Sequence, residues 1–368
     1  MKKLVCVTNI PSPYQIRWSE SLKQCYDVEF WFMIDIKDSV TGRPNYWEID
    51  LPAHCKILPS KFKKNEFCYG PTLVKELNKF NPDIVMVGGA WYMISWMQAY
   101  RWAVRNKKKI MTLPIELSKN MYRNSTIKRN RFVYKFIYNK IDLFIANAFL
   151  HYDYFVTVLG INNVALFMNY DDYKPYLKHP KRKNKGTITF LYGGAIDRRM
   201  RVPETIRTFE RIASKYDNAS LVIGGYGPEK DLCKKMVRDS SILSNKVAFY
   251  DVKAWDEIPN VFGECDVLIN FASYSPGSGV ILSSVASGMG VISNIAIHAT
   301  RHFILNNYNG FIIDDENSLY KAMEKYIVNK NLLEEHSARN KSIGLETLTY
   351  NRHLENFQSI VNSKLFKN

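Results

Sequence analysis

A chain of 368 residues with 46% hydrophobic and 23% charged residues can bury two sizeable cores and is too apolar to be disordered. Its 51 Lys and Arg against 35 Asp and Glu leave a net charge of +16. That surplus suits nucleic acid, anionic lipid or an acidic ligand, or simply makes a Lys-rich solvated surface; no recognisable nucleic-acid module is present, so nucleic acid is not expected as a partner. The six cysteines form no C-x-x-C pair and have no zinc spacing, and Met1-Lys2-Lys3 runs into "LVCVTNI", a strand-length segment rather than a signal peptide. Reduced thiols in a cytoplasmic protein are the expectation.

In chain order, "KLVCVTNI", "VEFWFMI", "CKILP", "IVMVGG", "KIMTLPI" and "LFIANA" read as strands, with helical spacing in "SLKQC", "PTLVKELNKF" and "MISWMQAYRWAVRN". "PSPYQIRW" reads as a loop after the first strand. Its Tyr14, Gln15 and Arg17 either face a ligand, or Tyr14 and Trp18 are core aromatics of the first helix. The run from Ile84 to Tyr100 carries no charge, but Gly88-Gly89 splits it and it falls short of the ~20 residues of a membrane span, so strand, glycine turn and helix explain it better. Glu116 in "LPIEL", at a strand end, is the candidate carboxylate for acceptor activation; it would equally cap the following helix. "STIKRNRFVYKFIYNKI" puts Phe132, Val133, Phe136 and Ile137 on one helical face flanked by Lys128, Arg129, Arg131, Lys135 and Lys140. That is either an interfacial helix on anionic lipid or an ordinary inward-packed face, and single amphipathic helices usually pack inward.

"DDYKPYLKHPKRKNKG" is polar, basic and Pro-containing, as a linker should be. Beyond it the scheme repeats, with strands "TITFLYGG", "ASLVIGGYG", "KVAFYDV", "VLINFAS", "GVISN" and "GFIID", and helices "PETIRTFERIASKY", "PEKDLCKKMVRDS", "EIPNVFGEC" and "VILSSVASG". Alternation of this kind argues for parallel sheets in an α/β fold. Two doubly wound domains, 1–172 and 186–345, would face a central cleft, with a tail helix in 346–368 crossing back to the first. In "FLYGGAIDRRMR", Gly193-Gly194 end a strand ahead of Arg198, Arg199 and Arg201; "LVIGGYGPEK" sets Gly224, Gly225 and Gly227 at the end of the next. "SYSPGSGVILSSVASG" places Gly277-Ser278-Gly279 where amides at a helix start point at an anion, unless glycine there serves only turn geometry. No Asp-x-Asp metal site is evident, and neither metal nor cofactor is expected.

The ordered blocks "GGYGP", "VAFYDV…EIPNVFGECDVLI", "SSVASGMGVIS" and "NNYNGFIID" resemble the nucleotide-sugar-binding domain of retaining glycosyltransferases, family 4, of the GT-B fold; "TNIPSPYQIRW" resembles the first strand, loop and helix of one branch. The resemblance implies a retaining transfer from a nucleotide diphosphate sugar to a glycan or lipid-linked acceptor in surface polysaccharide biosynthesis, with the enzyme cytoplasmic or peripheral on an anionic membrane surface. It implies donor contacts at Gly193, Gly194, Arg199, Gly225, Tyr226, Gly227, Tyr250, Val252, Ser275, Gly277, Ser278, Gly279, Val280 and Ser283, with Tyr250 to Val252 at the base. Acceptor contacts would fall at Pro13, Tyr14, Gln15, Arg43 and Trp91, and catalytic roles at Glu116, Arg199 and Ser275. The chain departs from the family pattern at five positions. Gly194 replaces an arginine, Arg199 a lysine, and Ser275 and Ser283 the paired glutamates that contact the donor sugar and the ribose. His302 stands for a further glutamate; protonated, it would contact a phosphate, and otherwise it is an ordinary loop residue, as are His298 and Arg301. Two outcomes stay open: a transferase with an altered donor site, or a degenerate GT-B subunit that binds a partner glycosyltransferase or a glycan.

Overall fold

The structure, a computed structural model, describes all of the chain but residues 39–46, 62–67, 90–92, 114–119, 169–170, 179–185, 253, 276, 278 and 367–368. It divides into two compact units, Met1–Asp172 with His353–Asn368, and Tyr173–Arg352.

The first unit is built on a parallel sheet of β1 (Lys2–Thr8), β2 (Tyr26–Phe32), β3 (Cys55–Ile57), β4 (Ile84–Val87) and β5 (Lys109–Thr112), in the order β3-β2-β1-β4-β5. A parallel pair, β6 (Phe144–Ala146) and β7 (Val164–Leu166), follows. Every residue of β4 is buried, as a strand covered on both faces should be. The segment read as a loop, "PSPYQIRW", is instead the start of a helix, Pro13–Leu22. Pro13 sits where its fixed φ suits a first helical turn and its missing N–H is no loss. The helix ends before Lys23–Cys25, so most of "SLKQC" is turn. Ile16, Trp18 and Leu22 point into the core, which settles Trp18 as a core aromatic against Phe30 (6.0 Å) and Phe167 (5.8 Å). The last helix, Tyr350–Leu365, places Phe357 in the same cluster, 5.3 Å from Trp18 and 5.2 Å from Phe167.

The second unit holds a six-stranded parallel sheet. Its strands are β8 (Ile188–Ala195), β9 (Ala219–Tyr226), β10 (Val247–Tyr250), β11 (Val267–Asn270), β12 (Gly290–Asn294) and β13 (Phe311–Ile313), in the order β10-β9-β8-β11-β12-β13. Both sheets grow outward in two directions from their first strand. Each therefore reverses direction once, between β1 and β4 and between β8 and β11, and the crevice beyond the strand ends at such a reversal is where ligands bind. Part of the expected linker is structured: Lys174–Lys178 is a short helix, and its Tyr176, 2% exposed, packs edge-on against Phe262 at 5.4 Å. An apolar ring in a basic stretch is enough to recruit it to the core.

Candidate functional site

At the β8/β11 reversal two loops are tied together. After β8, Asp197 accepts from the amides of Arg199 (3.0 Å) and Met200 (3.2 Å) and so folds a tight turn, Arg198–Met200. The turn ends on Arg201, whose φ of 54° is the left-handed region. Arg201 stacks its guanidinium over Phe271, 5.1 Å from the ring centroid, at the end of β11. From the turn Arg199 reaches across. Its Nη1 donates to the Tyr274 carbonyl at 2.8 Å, and its Nη2 lies 3.4 Å from Asp197 Oδ2. In return the Ser273 amide and hydroxyl both donate to the Arg199 carbonyl, at 2.9 and 3.1 Å. The guanidinium is thus oriented before any ligand arrives and keeps further donors to offer.

The next residues are held from the other side. The Ser275 carbonyl accepts from the His298 amide at 3.1 Å, and Ser275 pairs as a parallel bridge with Ile297. Its hydroxyl donates to the Gly277 carbonyl at 3.0 Å, which leaves the oxygen lone pairs to accept from a ligand hydroxyl. The helix Gly279–Ser287 then begins with an exposed Gly279 and a half-buried Val280. Its orphan N–H groups and dipole favour an anion.

The glycines split into two kinds. A Cβ on Gly279 would meet nothing within 4 Å; one on Gly193 would meet only Val280 Cγ1 at 3.9 Å; one on Gly194 only Tyr192 Oη at 3.9 Å. These three border open space. A Cβ on Gly225 would instead lie 1.9 Å from the Gly194 carbonyl oxygen, and one on Gly227 2.3 Å from that of Ile196. Those two let the end of β9 close on the loop after β8, where Tyr226 O accepts from the Ile196 amide at 2.6 Å. All five glycines were expected as donor contacts; in Gly225 and Gly227 the absent side chain also serves this close packing of two backbones.

The remaining second-unit candidates spread along the same edge. Tyr250 ends β10 and Val252 follows; both are half-buried and lie two strands from β8, about 10 Å at the usual strand spacing. Burial, then neighbouring Glu257, raise the Tyr250 phenol above its ordinary pKa, so it stays protonated. Ser283 lies one turn inside the helix and is 5% exposed. Burial lowers His302 below its usual value, and the residue lies, with His298 and Arg301, in the helix His298–Phe303 rather than in the expected loop. Arg301 donates through Nε to the Ile295 carbonyl at 3.0 Å. Asp197, Ser273 and the Arg201–Phe271 pair carry no assignment from sequence. The one hint is an Asp two residues before Arg199, a capping spacing.

At the β1/β4 reversal, Pro13 is buried, and Tyr14 meets Trp47 edge-to-face at 6.4 Å. Ser12 Oγ and Gln15 Oε1 are buried without a hydrogen-bond partner among the described residues. Ser12 carried no assignment from sequence, whereas Gln15 was an expected acceptor contact. Arg17 is 3.6 Å from Asp171, whose carboxyl is pushed up to about 6, chiefly by burial. Gly89 has φ of 88°, and a Cβ on Gly88 would lie 2.5 Å from Thr8 Oγ1, so the glycine turn brings the ends of β4 and β1 together. Glu116, Arg43, Trp91 and Ser278 lie outside the described residues. Among the described residues no group of three or more His, Cys, Asp or Glu could hold a metal ion, and no helix is long and apolar enough to cross a membrane.

Residues 174–342 match the family Glycosyl transferases group 1. No curated protein matches the chain. Among solved structures, HepE of Anabaena in complex with UDP is 13% identical at TM-score 0.73, over 98% of this chain and 100% of that one; HepE has also been solved with UDP-glucose. A glycosyltransferase from Rickettsia africae is 14% identical at TM-score 0.75, over 100% of both chains. Sucrose-phosphate synthase from Thermosynechococcus elongatus is 12% identical at TM-score 0.74, over 98% and 99%. The chain has the GT-B fold, with two Rossmann-like domains.

Proposed function

We propose that the protein is a glycosyltransferase that moves a sugar from a nucleoside diphosphate donor to a glycan, with retention of configuration and with an acceptor carried on a lipid at a membrane surface. One observation carries the reading. The open space bordered by Gly193, Gly194 and Gly279 lies at the sheet reversal inside the part of the chain that matches group 1 transferases, with Arg199 fixed beside it. A UDP complex of a fold neighbour supports a nucleotide donor.

Departure of the diphosphate builds negative charge on its oxygens, and lowering that charge's energy is the main task. Amides at the start of Gly279–Ser287 and the Arg199 guanidinium supply it without a metal. The Ser275 oxygen accepts from a sugar hydroxyl, Ser283 addresses the ribose, and the β10 end, Tyr250 to Val252, takes the base. Ser12, Gln15 and Tyr14 contact the acceptor, and Glu116 keeps the role expected from sequence, the carboxylate that activates it. Serine reaches less far than glutamate and offers a neutral acceptor, weaker by about 1 kcal/mol per bond; the site therefore suits a donor whose hydroxyls approach the loop closely.

Titration with UDP-, GDP- and CDP-sugars tests this directly, followed by a transfer assay that reads the anomeric configuration of the product. Arg199→Ala should lower kcat/KM by about 100-fold. Arg199→Lys should recover part of it, because charge returns without the bridge to Tyr274. Unchanged turnover in Arg199→Ala removes the donor assignment. The absent carboxylates at Ser275 and Ser283 favour a second reading, a binding subunit without catalysis; folded protein that takes up none of the donors would establish it.

A further inference from the structure

The donor reading leaves one surface unused. Residues 120–141 contain no Asp or Glu and six basic residues: Arg123, Lys128, Arg129, Arg131, Lys135 and Lys140. The helix Asn124–Phe132 continues there as a π-helical turn, Val133–Ile137. Its inner side is clear. Val133 and Tyr138 are 3% and 8% exposed, and the Tyr134 ring packs on Phe144 (5.3 Å) and Phe155 (5.4 Å). Its outer side is unusual. Phe132 and Phe136 are each 58% exposed and stack on one another at 4.9 Å, with Lys135 Nζ 5.5 Å from the Phe136 centroid. The four apolar positions expected to share one face are therefore divided: Val133 and Ile137 turn inward, Phe132 and Phe136 outward. The π turn helps, since a wider turn shifts the facing of every residue after it. None of the six cations forms an ion pair with a described carboxylate.

Arg131 donates through Nε and Nη2 to the Val158 carbonyl at 3.1 and 3.0 Å. Paired exposed rings on a stretch of cations without carboxylate partners suit a surface that is anionic outside and apolar beneath. We infer that this face seats on an anionic phospholipid bilayer, Phe132 and Phe136 entering the boundary between headgroups and acyl chains while the basic side chains meet lipid phosphates. A second copy of the chain fits less well. Two Phe rings supply about 300–500 Å² at most, against roughly 1,200 Å² for a stable interface, and like charges would face each other. Single-stranded nucleic acid would stack bases on open ring faces, whereas these rings, tilted by 42°, partly cover one another. The inference extends the reading of a lipid-carried acceptor, but its test needs neither donor nor acceptor.

The full chain is floated with vesicles of phosphatidylcholine alone and of phosphatidylcholine mixed with phosphatidylglycerol, at physiological salt. Binding only to the anionic vesicles is expected, and Phe132→Ser with Phe136→Ser should weaken it on the order of tenfold. Lys128→Glu with Lys135→Glu should weaken it further. Both double variants should unfold at the wild-type temperature and keep wild-type nucleotide binding, so a failure of the donor reading would be visible separately. Absence of wild-type binding, equal binding to neutral vesicles, or full binding by the Phe variant would overturn the inference. So would self-association, or poly(U) binding, that the Phe variant abolishes in the absence of lipid.

Discussion

Gly225 and Gly279 both sit in glycine-rich stretches, yet a methyl group would act differently at each. At Gly225 it would enter the Gly194 carbonyl at 1.9 Å, on a backbone with φ of 158°. Gly225→Ala should cost about 3 kcal/mol or more, read as an early urea transition of the second unit. At Gly279 it meets open space at the start of a helix. Gly279→Ala should leave stability within about 0.5 kcal/mol and instead weaken nucleotide binding, because the methyl occupies the room a diphosphate would take. Equal loss of stability in both variants would remove the distinction between packing and site glycines. Asp171 makes a further residue-scale case. Its folded pKa, about 6, lies above the ordinary carboxylate value. Its contribution therefore favours folding below about pH 4 and is lost as pH rises through about 6. Relative to Asp171→Asn, the wild type should lose roughly 2–3 kcal/mol across that window in urea midpoints. A flat difference would mean that Arg17 fully compensates the buried charge.

At the scale of elements, strands of apolar residues alternating with amphipathic helices identify both sheets, because burial on two faces demands unbroken apolar runs. β7 escapes, since Val164–Leu166 is three residues long and no period can be counted in it. The helix Pro13–Leu22 is masked because two prolines and a serine look like a loop until one proline takes the first helical position. The site is legible in its glycines and Arg199, whose chemistry is local. It is not legible in the bonds from Arg199 to Tyr274 and from Ser273 back to Arg199, which join residues 75 and 74 positions apart and leave no periodic trace. Another such long-range device fixes the helix Lys330–Thr347. Asn340 and Asn309, both fully buried, exchange amide bonds at 2.7 and 2.8 Å, and Asn340 also donates to the Met289 carbonyl at 2.7 Å, just before β12. Asn340→Leu would strand two buried carbonyls and the Asn309 amide. A loss of about 3 kcal/mol in the second unit is expected from thermal or urea unfolding. Glu334→Ala, at an exposed position of the same helix, should change the same transition little.

For the molecule as a whole, the chain's return from the second unit into the first is the feature with most consequence. Phe357 is fully buried between Trp18, Tyr26 and Phe167, so the first unit's core is completed only by the last residues of the sequence. Phe357→Ala should cost about 3–5 kcal/mol. The loss should fall on the first unit alone, visible in calorimetry as one transition moving down while the other stays. His353, one turn earlier on the same helix, adds a pH dependence. Burial lowers its pKa to about 3, with the ring 4.3 Å from Phe167. A histidine held neutral in the folded state but free to protonate when unfolded contributes stability that is present above about pH 6.5 and is lost as pH falls toward about 3. Against the opposite contribution of Asp171 in the same unit, the part of the acid slope owed to His353 is read as the difference between wild type and His353→Leu, which should grow against the wild type as pH falls below about 6.5. His353→Leu, which cannot take a proton, should remove much of that slope while the second-unit transition keeps its own. Identical acid slopes in wild type and His353→Leu would show that the closing helix is not where acid first acts on the first unit.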